Sequence, residues 1–180
     1  MNRESSNIPG HLHFLTFSCL KKQRLLTDDQ TCLWLAEALD KARRAEEFDL
    51  WAYVFMPEHV HLSVRPRRSE YSMAKILRRI KEPFTHRVVR RWTECDQARL
   101  QLITTSLGSR ALHCFWQPGG GFDRNLRSIE EIGGVVEYIE FNPVRRGLAK
   151  DPTHWAWSSA RARAGMADVP LVPDEIRLYQ

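Results

Sequence analysis

Apolar and polar positions along the chain alternate between a period of two and a period near 3.6, and the switches predict an ordered series of elements. His11 to Leu20 is dense in aromatic and aliphatic residues and predicts a first strand, closed by polar Lys21-Lys22-Gln23. Thr27 followed by Gln30 forms a capping-box pattern, and Asp28 and Asp29 suit the positive end of a helix dipole, so a helix is predicted from about Asp28 to Glu47. Leu50 to Phe55 predicts a short buried strand, Met56-Pro57-Glu58 a turn, and His59 to Val64 an alternating strand. Met73, Leu77, Ile80, Phe84 and Val88 recur at helical spacing and predict an amphipathic helix over Tyr71 to Trp92, with a kink at Pro83. Residues 93–110 show no clear period. Ala111 to Trp116 reads as a further strand, and Gln117 to Gly121, with three consecutive glycines, as a loop. A second capping box, Ser128 with Glu131, opens a helix carrying Ile129, Ile132, Val136 and Ile139 and ending near Pro143. The order β-α-β-β-α-β plus a helix predicts an α+β, ferredoxin-like sandwich with an added C-terminal helix.

At 180 residues the chain fits one domain, 1–180, with a flexible N-terminus over about 1–10 and a C-terminal tail over about 151–180. No apolar run approaches the roughly 20 residues of a membrane helix, and Met1 to Gly10 lacks the apolar core of a signal peptide; no membrane association and a cytoplasmic location are expected. Cys19, Cys32, Cys95 and Cys114 contain no Cys-x-x-Cys pair, which argues against a thiolate zinc site and a disulfide framework. The formal charge of +5 is concentrated: Arg65, Arg67, Arg68, Lys75, Arg78, Arg79 and Lys81 begin a basic stripe that runs on to Arg91. Such a stripe suits a phosphate backbone, although a solvated helix face has the same composition.

Two patterns could carry chemistry. In the strand from His59, alternation sets His59, His61 and Ser63 on one face and Val60, Leu62 and Val64 on the other, expected to be the apolar one. Paired imidazoles two residues apart can bind one metal ion, but packed strands also contain them. His11-Leu12-His13 has the same spacing, yet its face continues through Leu15 and Phe17 as core, so that pair reads as structural or as a nucleic-acid contact. On the helix from Ser128, Tyr138 and Asn142 lie four residues apart on one face; a phenol and an amide are presented together, whereas Tyr138 alone could equally be a packing residue. Gly133 and Gly134 weaken that helix and would allow close backbone contact or a helix shift.

Met56-Pro57-Glu58-His59-Val60-His61-Leu62, Phe115-Trp116-Gln117-Pro118, Tyr138 to Leu148, and Trp155-Ala156-Trp157-Ser158-Ser159 together resemble the signature blocks of single-tyrosine His-hydrophobe-His transposases, and among these the REP-associated tyrosine transposases. The resemblance runs from about His11 to Ser159, while Gly119 to Arg124 is richer in glycine than the corresponding loop of many relatives. It implies a metal-dependent single-stranded DNA endonuclease and strand transferase acting on hairpin-containing DNA. His59, His61 and Asn142 would be ligands of Mg²⁺ or Mn²⁺, and Tyr138 the nucleophile that forms a 5′-phosphotyrosine. Glu58 and Glu131 are candidate bases, and a monomer is favoured over a dimer. Two other readings remain open: a non-catalytic nucleic-acid-binding module of the same fold, and a His-x-His phosphoester hydrolase that does not need Tyr138.

Overall fold

The computed structural model describes residues 7–107 and 110–177. In chain order the elements are β1 (Leu12–Ser18), α1 (Asp29–Glu46), β2 (Phe48–Met56), β3 (His59–Pro66), α2 (Met73–Cys95), α3 (Gln97–Leu102), β4 (Thr104–Leu107), β5 (Arg110–His113), β6 (Phe122–Leu126), α4 (Ile129–Glu140), α5 (Asn142–Arg145) and α6 (Ala160–Arg163). The main sheet is antiparallel in the order β2-β3-β1-β6, and β4 and β5 form a separate two-stranded sheet. This is the expected ferredoxin-like arrangement, but its fourth strand is β6 and not Ala111 to Trp116. β6 reads Phe-Asp-Arg-Asn-Leu, an edge strand too polar to announce itself. None of the helices among the described residues is long and apolar enough to cross a membrane.

The helices start where short polar side chains accept otherwise unpaired backbone N–H groups. Asp28, and not Thr27, caps α1, accepting from the Thr31 N–H at 2.9 Å. Ser128 caps α4, accepting from the Glu131 N–H; the Glu131 carboxylate returns to the Arg127 N–H, one residue earlier than a capping box requires. α2 is assigned as a single helix through Pro83, its buried stripe of Met73, Ile76, Leu77, Ile80, Phe84, Val88 and Trp92 lying against the sheet. Of the expected N-terminal segment, residues 1–6 lie outside the described residues. Residues 7–10 are tied down through Asn7, which accepts the Met73 N–H, and Ile8, whose carbonyl accepts the Tyr71 hydroxyl proton.

The sheet is covered on both faces. Leu15, Phe17, Val60, Leu62 and Val64 join α1 and α2 in the larger core. On the other face Leu12, Trp51, Ala52, Val54, Met56 and Leu126 meet Val135, Val136 and Ile139 of α4. Ile129, expected in that apolar stripe, is 62% exposed because it stands at the open first turn. A bulge at Leu50/Ala52 puts both Trp51 and Ala52 on the α4 side, so β2 feeds both cores. The segment after α5 is no loose tail. Phe55 N–H donates to Trp157 O, Ser159 N–H to Tyr53 O, and Tyr53 O–H to Leu171 O, closing the free border of β2.

Two glycines test this packing. Gly121 has φ +78°, and a Cβ there would stand 2.2 Å from the Thr16 carbonyl oxygen; Gly133, in α4, faces open space. Gly121→Ala is expected to lower stability by about 1–3 kcal/mol or more. Gly133→Ala should raise it by about 0.5–1 kcal/mol. Chemical denaturation of both variants checks the pair, and a neutral Gly121→Ala would refute the close approach.

Candidate active site

The pairing of β1 with β3 builds the site. Its register sets Thr16 opposite His61 and Ser18 opposite His59, near the end of the sheet where β3 begins. Both imidazoles lie on the α4 side. His61 is 5% exposed, so its strand face is a second interior surface and not the solvent-facing one that alternation alone suggested. The Nε2 atoms of His59 and His61 are 3.0 Å apart. Each Nδ1 is held from behind: His61 by the Thr16 hydroxyl at 2.7 Å, and His59 by the Glu58 carboxylate at 3.0 Å. The Arg146 guanidinium braces Glu58 at 2.8 Å. His59 Nδ1–H donates to Glu58, which leaves the His59 Nε2 lone pair facing inward.

Burial keeps both rings neutral. It pushes His61 down to about 3, helped by His59 and Arg146. Burial likewise lowers His59, and Glu58 only partly offsets it. The Glu58 carboxyl would rise on burial, but Arg146 and His59 outweigh that and hold it below the usual range. The local result is two neutral nitrogen donors beside a carboxylate that stays ionised.

Tyr138 stands over this pair. Its ring centroid is 5.4 Å from that of His61 and 5.8 Å from Phe14, and the Arg145 guanidinium lies 5.1 Å from its face. Tyr138 is 38% exposed, so its hydroxyl-bearing ring is within reach of a large substrate. The helix beneath it is pinned two residues later: buried Glu140 accepts from the Ser159 hydroxyl at 2.8 Å and from Arg163 Nε at 2.9 Å, and Arg163 also donates to the Trp51 carbonyl. One turn beyond Tyr138, Asn142 is 5% exposed, and its Oδ1 is buried without a hydrogen-bond partner among the described residues.

These residues fit a divalent metal. Among the described residues no group of three or more His, Cys, Asp or Glu could hold an ion, so a third protein ligand beside the two histidines would have to be of another type. The orphaned amide oxygen of Asn142 is such an atom, and leaving it unpaired is costly. Two nitrogens bound at about 2.1 Å to one ion, at right angles, also stand about 3.0 Å apart. The backing of each Nδ1 by Thr16 or Glu58 is the support that metal-binding histidines commonly have.

Other residues singled out in the sequence lie elsewhere. α2 covers the opposite face of the sheet from α4, so Lys75, Arg78, Arg79 and Lys81 are not beside Tyr138. Lys75 and Arg79 pair with Glu46, at 2.9 and 3.2 Å, and Arg68 pairs with Glu47. Arg65 and Arg67 approach Asp49 at 4.0 and 3.7 Å, and Arg65 also lies against Trp51. Arg78 has no ion pair among the described residues and is exposed. His13 is fully buried between Asp123 and Tyr71, 2.8 Å from each, which fits a structural role. Glu131 lies seven residues before Tyr138, about 10 Å along the helix, too far to serve as its base. The residues that sequence reasoning missed are Thr16, Phe14, Arg145 and Arg146. Arg145, two turns after Tyr138, follows a helical spacing that could have revealed it; Thr16 joins only through strand pairing.

The fold and this site define a class. Residues 9–105, more than half of the chain, match the IS200-like transposase family, and the chain belongs to that family. The matched stretch carries Thr16, His59 and His61 and ends before α4. The chain is 25% identical over 152 residues to the REP-associated tyrosine transposase of Escherichia coli (strain K12), covering 84% of this chain and 78% of that protein. Its fold resembles the solved structure of a REP-associated tyrosine transposase bound to a REP hairpin, with TM-score 0.70 and 24% identity over 99% of this chain and 93% of the other. The transposase class expected from the motifs is therefore the class found.

His61→Ala empties a buried site and strips Thr16 of its partner. In metal-free buffer it is expected to cost about 1–3 kcal/mol, whereas Arg78→Ala on the exposed stripe should stay within about 0.5 kcal/mol. Thermal unfolding in chelator compares the two; equal stabilities would contradict the burial of His61.

Proposed function

We propose that this transposase-family protein is a metal-dependent single-stranded DNA endonuclease and strand transferase with Tyr138 as its nucleophile. The observation that carries the reading is the exposed Tyr138 ring set against buried His61, whose Nε2 lies 3.0 Å from that of half-buried His59. A mere packing tyrosine has no need of two back-braced imidazoles beside it, nor of a buried, unpartnered amide oxygen one turn further along its helix. The solved relative carries a REP hairpin, and we extend that class of substrate, hairpin-containing DNA, to this chain.

In this reading His59, His61 and Asn142 hold Mg²⁺ or Mn²⁺, which when bound draws charge from the non-bridging oxygens of the scissile phosphate. Thr16 and Glu58 keep the two rings oriented, and Arg146 keeps Glu58 ionised. Arg145, over the Tyr138 ring, supplies a cation where the phosphate must sit. The Tyr138 oxygen loses its proton and attacks phosphorus. The P–O3′ bond breaks, the departing 3′-oxygen takes up a proton, and a 5′-phosphotyrosine remains. Attack by a 3′-hydroxyl reverses these steps and rejoins strands without an external energy source, because the phosphodiester energy is kept in the tyrosyl ester.

Tyr138→Phe keeps the ring against His61 and Phe14 but removes the only oxygen that can carry the phosphate. Folding and DNA binding should survive, while protein-linked DNA disappears from denaturing gels run after incubation with a labelled hairpin and Mn²⁺. Asn142→Ala and Thr16→Val should reduce metal affinity by about 10–100-fold and regain part of their activity at high Mn²⁺, a rescue absent from Tyr138→Phe. Comparable cutting by Tyr138→Phe would replace this mechanism with direct hydrolysis by water.

A further inference from the structure

A groove of about 840 Å³ runs between α2 and the β4–β5 hairpin, on the face of the sheet away from Tyr138. Lys81, His86 and Arg90 form its α2 wall, and Leu112, His113 and Pro118 lie across from them. Its charge is unbalanced, since Glu82 is the only carboxylate among the lining residues. Lys81 is the most unusual member. Its ammonium lies 4.7 Å from the Phe17 ring, and its one hydrogen bond among the described residues is a long one, 3.4 Å, to the Gly119 carbonyl. No ion pair to Lys81 exists among the described residues, and burial pushes its ammonium down to about 8. A half-buried cation without a carboxylate partner is poorly compensated, and an anion entering the groove would meet it.

The groove also begins where the active site ends. Gly121, at one end of the connecting loop, leaves no room for a side chain beside the carbonyl of Thr16, whose hydroxyl holds His61. Pro118, at the other end, lines the groove, and Gln117 N–H donates to the Ser18 carbonyl. The 117–121 loop thus meets both the β1 backbone beside Thr16 and the groove that Lys81 lines.

We infer that the α2–hairpin groove is a second DNA-binding site, in which the single strand flanking the cleavage point lays one phosphate on Lys81 and another on Arg90. Leu112 and Val89 give the bases an apolar surface between the cations. This inference rests on the proposed action on single-stranded DNA, but it is read by binding and not by cleavage.

Two measurements on the full chain test it, both in chelator, with a thymidine homopolymer of about 20 nucleotides as probe. In the first, lysines are acetylated at about pH 8 with and without probe and the sites are quantified by mass spectrometry. The probe should protect Lys81 by about fivefold or more while exposed Lys41 and Lys150 stay unprotected. In the second, Lys81→Met with Arg90→Met should flatten the slope of log affinity against log salt by about 1.4, that is about 0.7 for each lost phosphate contact. Lys41→Met with Lys150→Met should leave the slope unchanged. Unprotected Lys81, an unchanged slope in the groove variant, or protection by polyglutamate but not by DNA would each overturn the inference. The Mn²⁺-dependent covalent product reports separately on the proposed chemistry: product without Lys81 protection sinks the groove alone, and protection without product sinks the tyrosine mechanism alone.

Discussion

Everything in the site depends on α4 lying against the second face of the sheet. A half-open antiparallel sheet would leave His59 and His61 in water, with ordinary proton affinities and free rotation. Val135, Val136 and Ile139 instead close over Trp51, Val54 and Met56, and the same helix that buries the imidazoles carries Tyr138 to them. Burial then forces the remaining arrangement. Buried ring nitrogens must be hydrogen-bonded, so Thr16 and Glu58 are needed; Glu58, half-buried and ionised, is in turn braced by Arg146. The helix cannot slide freely, because Glu140 is fixed by Ser159 and Arg163, and Arg163 is fixed to the β2 backbone.

The positive charge is divided between structural and open roles. Lys75 and Arg79 clamp Glu46 of α1, and together they outweigh the burial that would otherwise raise its carboxyl. These cations hold two helices together as much as they meet solvent. Arg145 and Arg146, by contrast, stand at the site, one over the tyrosine and one behind the histidines. A net charge summed over the chain hides this partition, because the densest run of basic residues and the reactive centre are on opposite faces of one sheet.

α1, α2, α4 and the strands β1, β2 and β3 were legible in the sequence because a helical period, an alternation or an unbroken apolar run marks each of them. α1, α2 and α4 all appear close to their expected bounds. What escaped has local causes. The cap of α1 moved from Thr27 to Asp28 because neighbouring residues competed for the same N–H groups, and only geometry decides between them. β6 escaped because its three central residues, Asp123, Arg124 and Asn125, are polar, and its pairing with β1 is a long-range choice. The bulge at Trp51 escaped because β2 is apolar on both sides, so no alternation marks the slip. Within the site, His59, His61, Tyr138 and Asn142 were found as motifs. Thr16 was not, because its meeting with His61 depends on a pairing between strands 45 residues apart.

The two borders of the sheet differ in what they leave to a neighbour. Along β2, the amide of Phe55 and the carbonyl of Tyr53 are engaged by Trp157 and Ser159 of the same chain, and further along, Asp174 binds the Leu50 backbone. Another copy could add a strand there only by first peeling that segment away, which would also release Arg163 from Glu140 and loosen the helix that carries Tyr138. Strand addition at this border therefore competes directly with the contacts that seat α4 against the sheet.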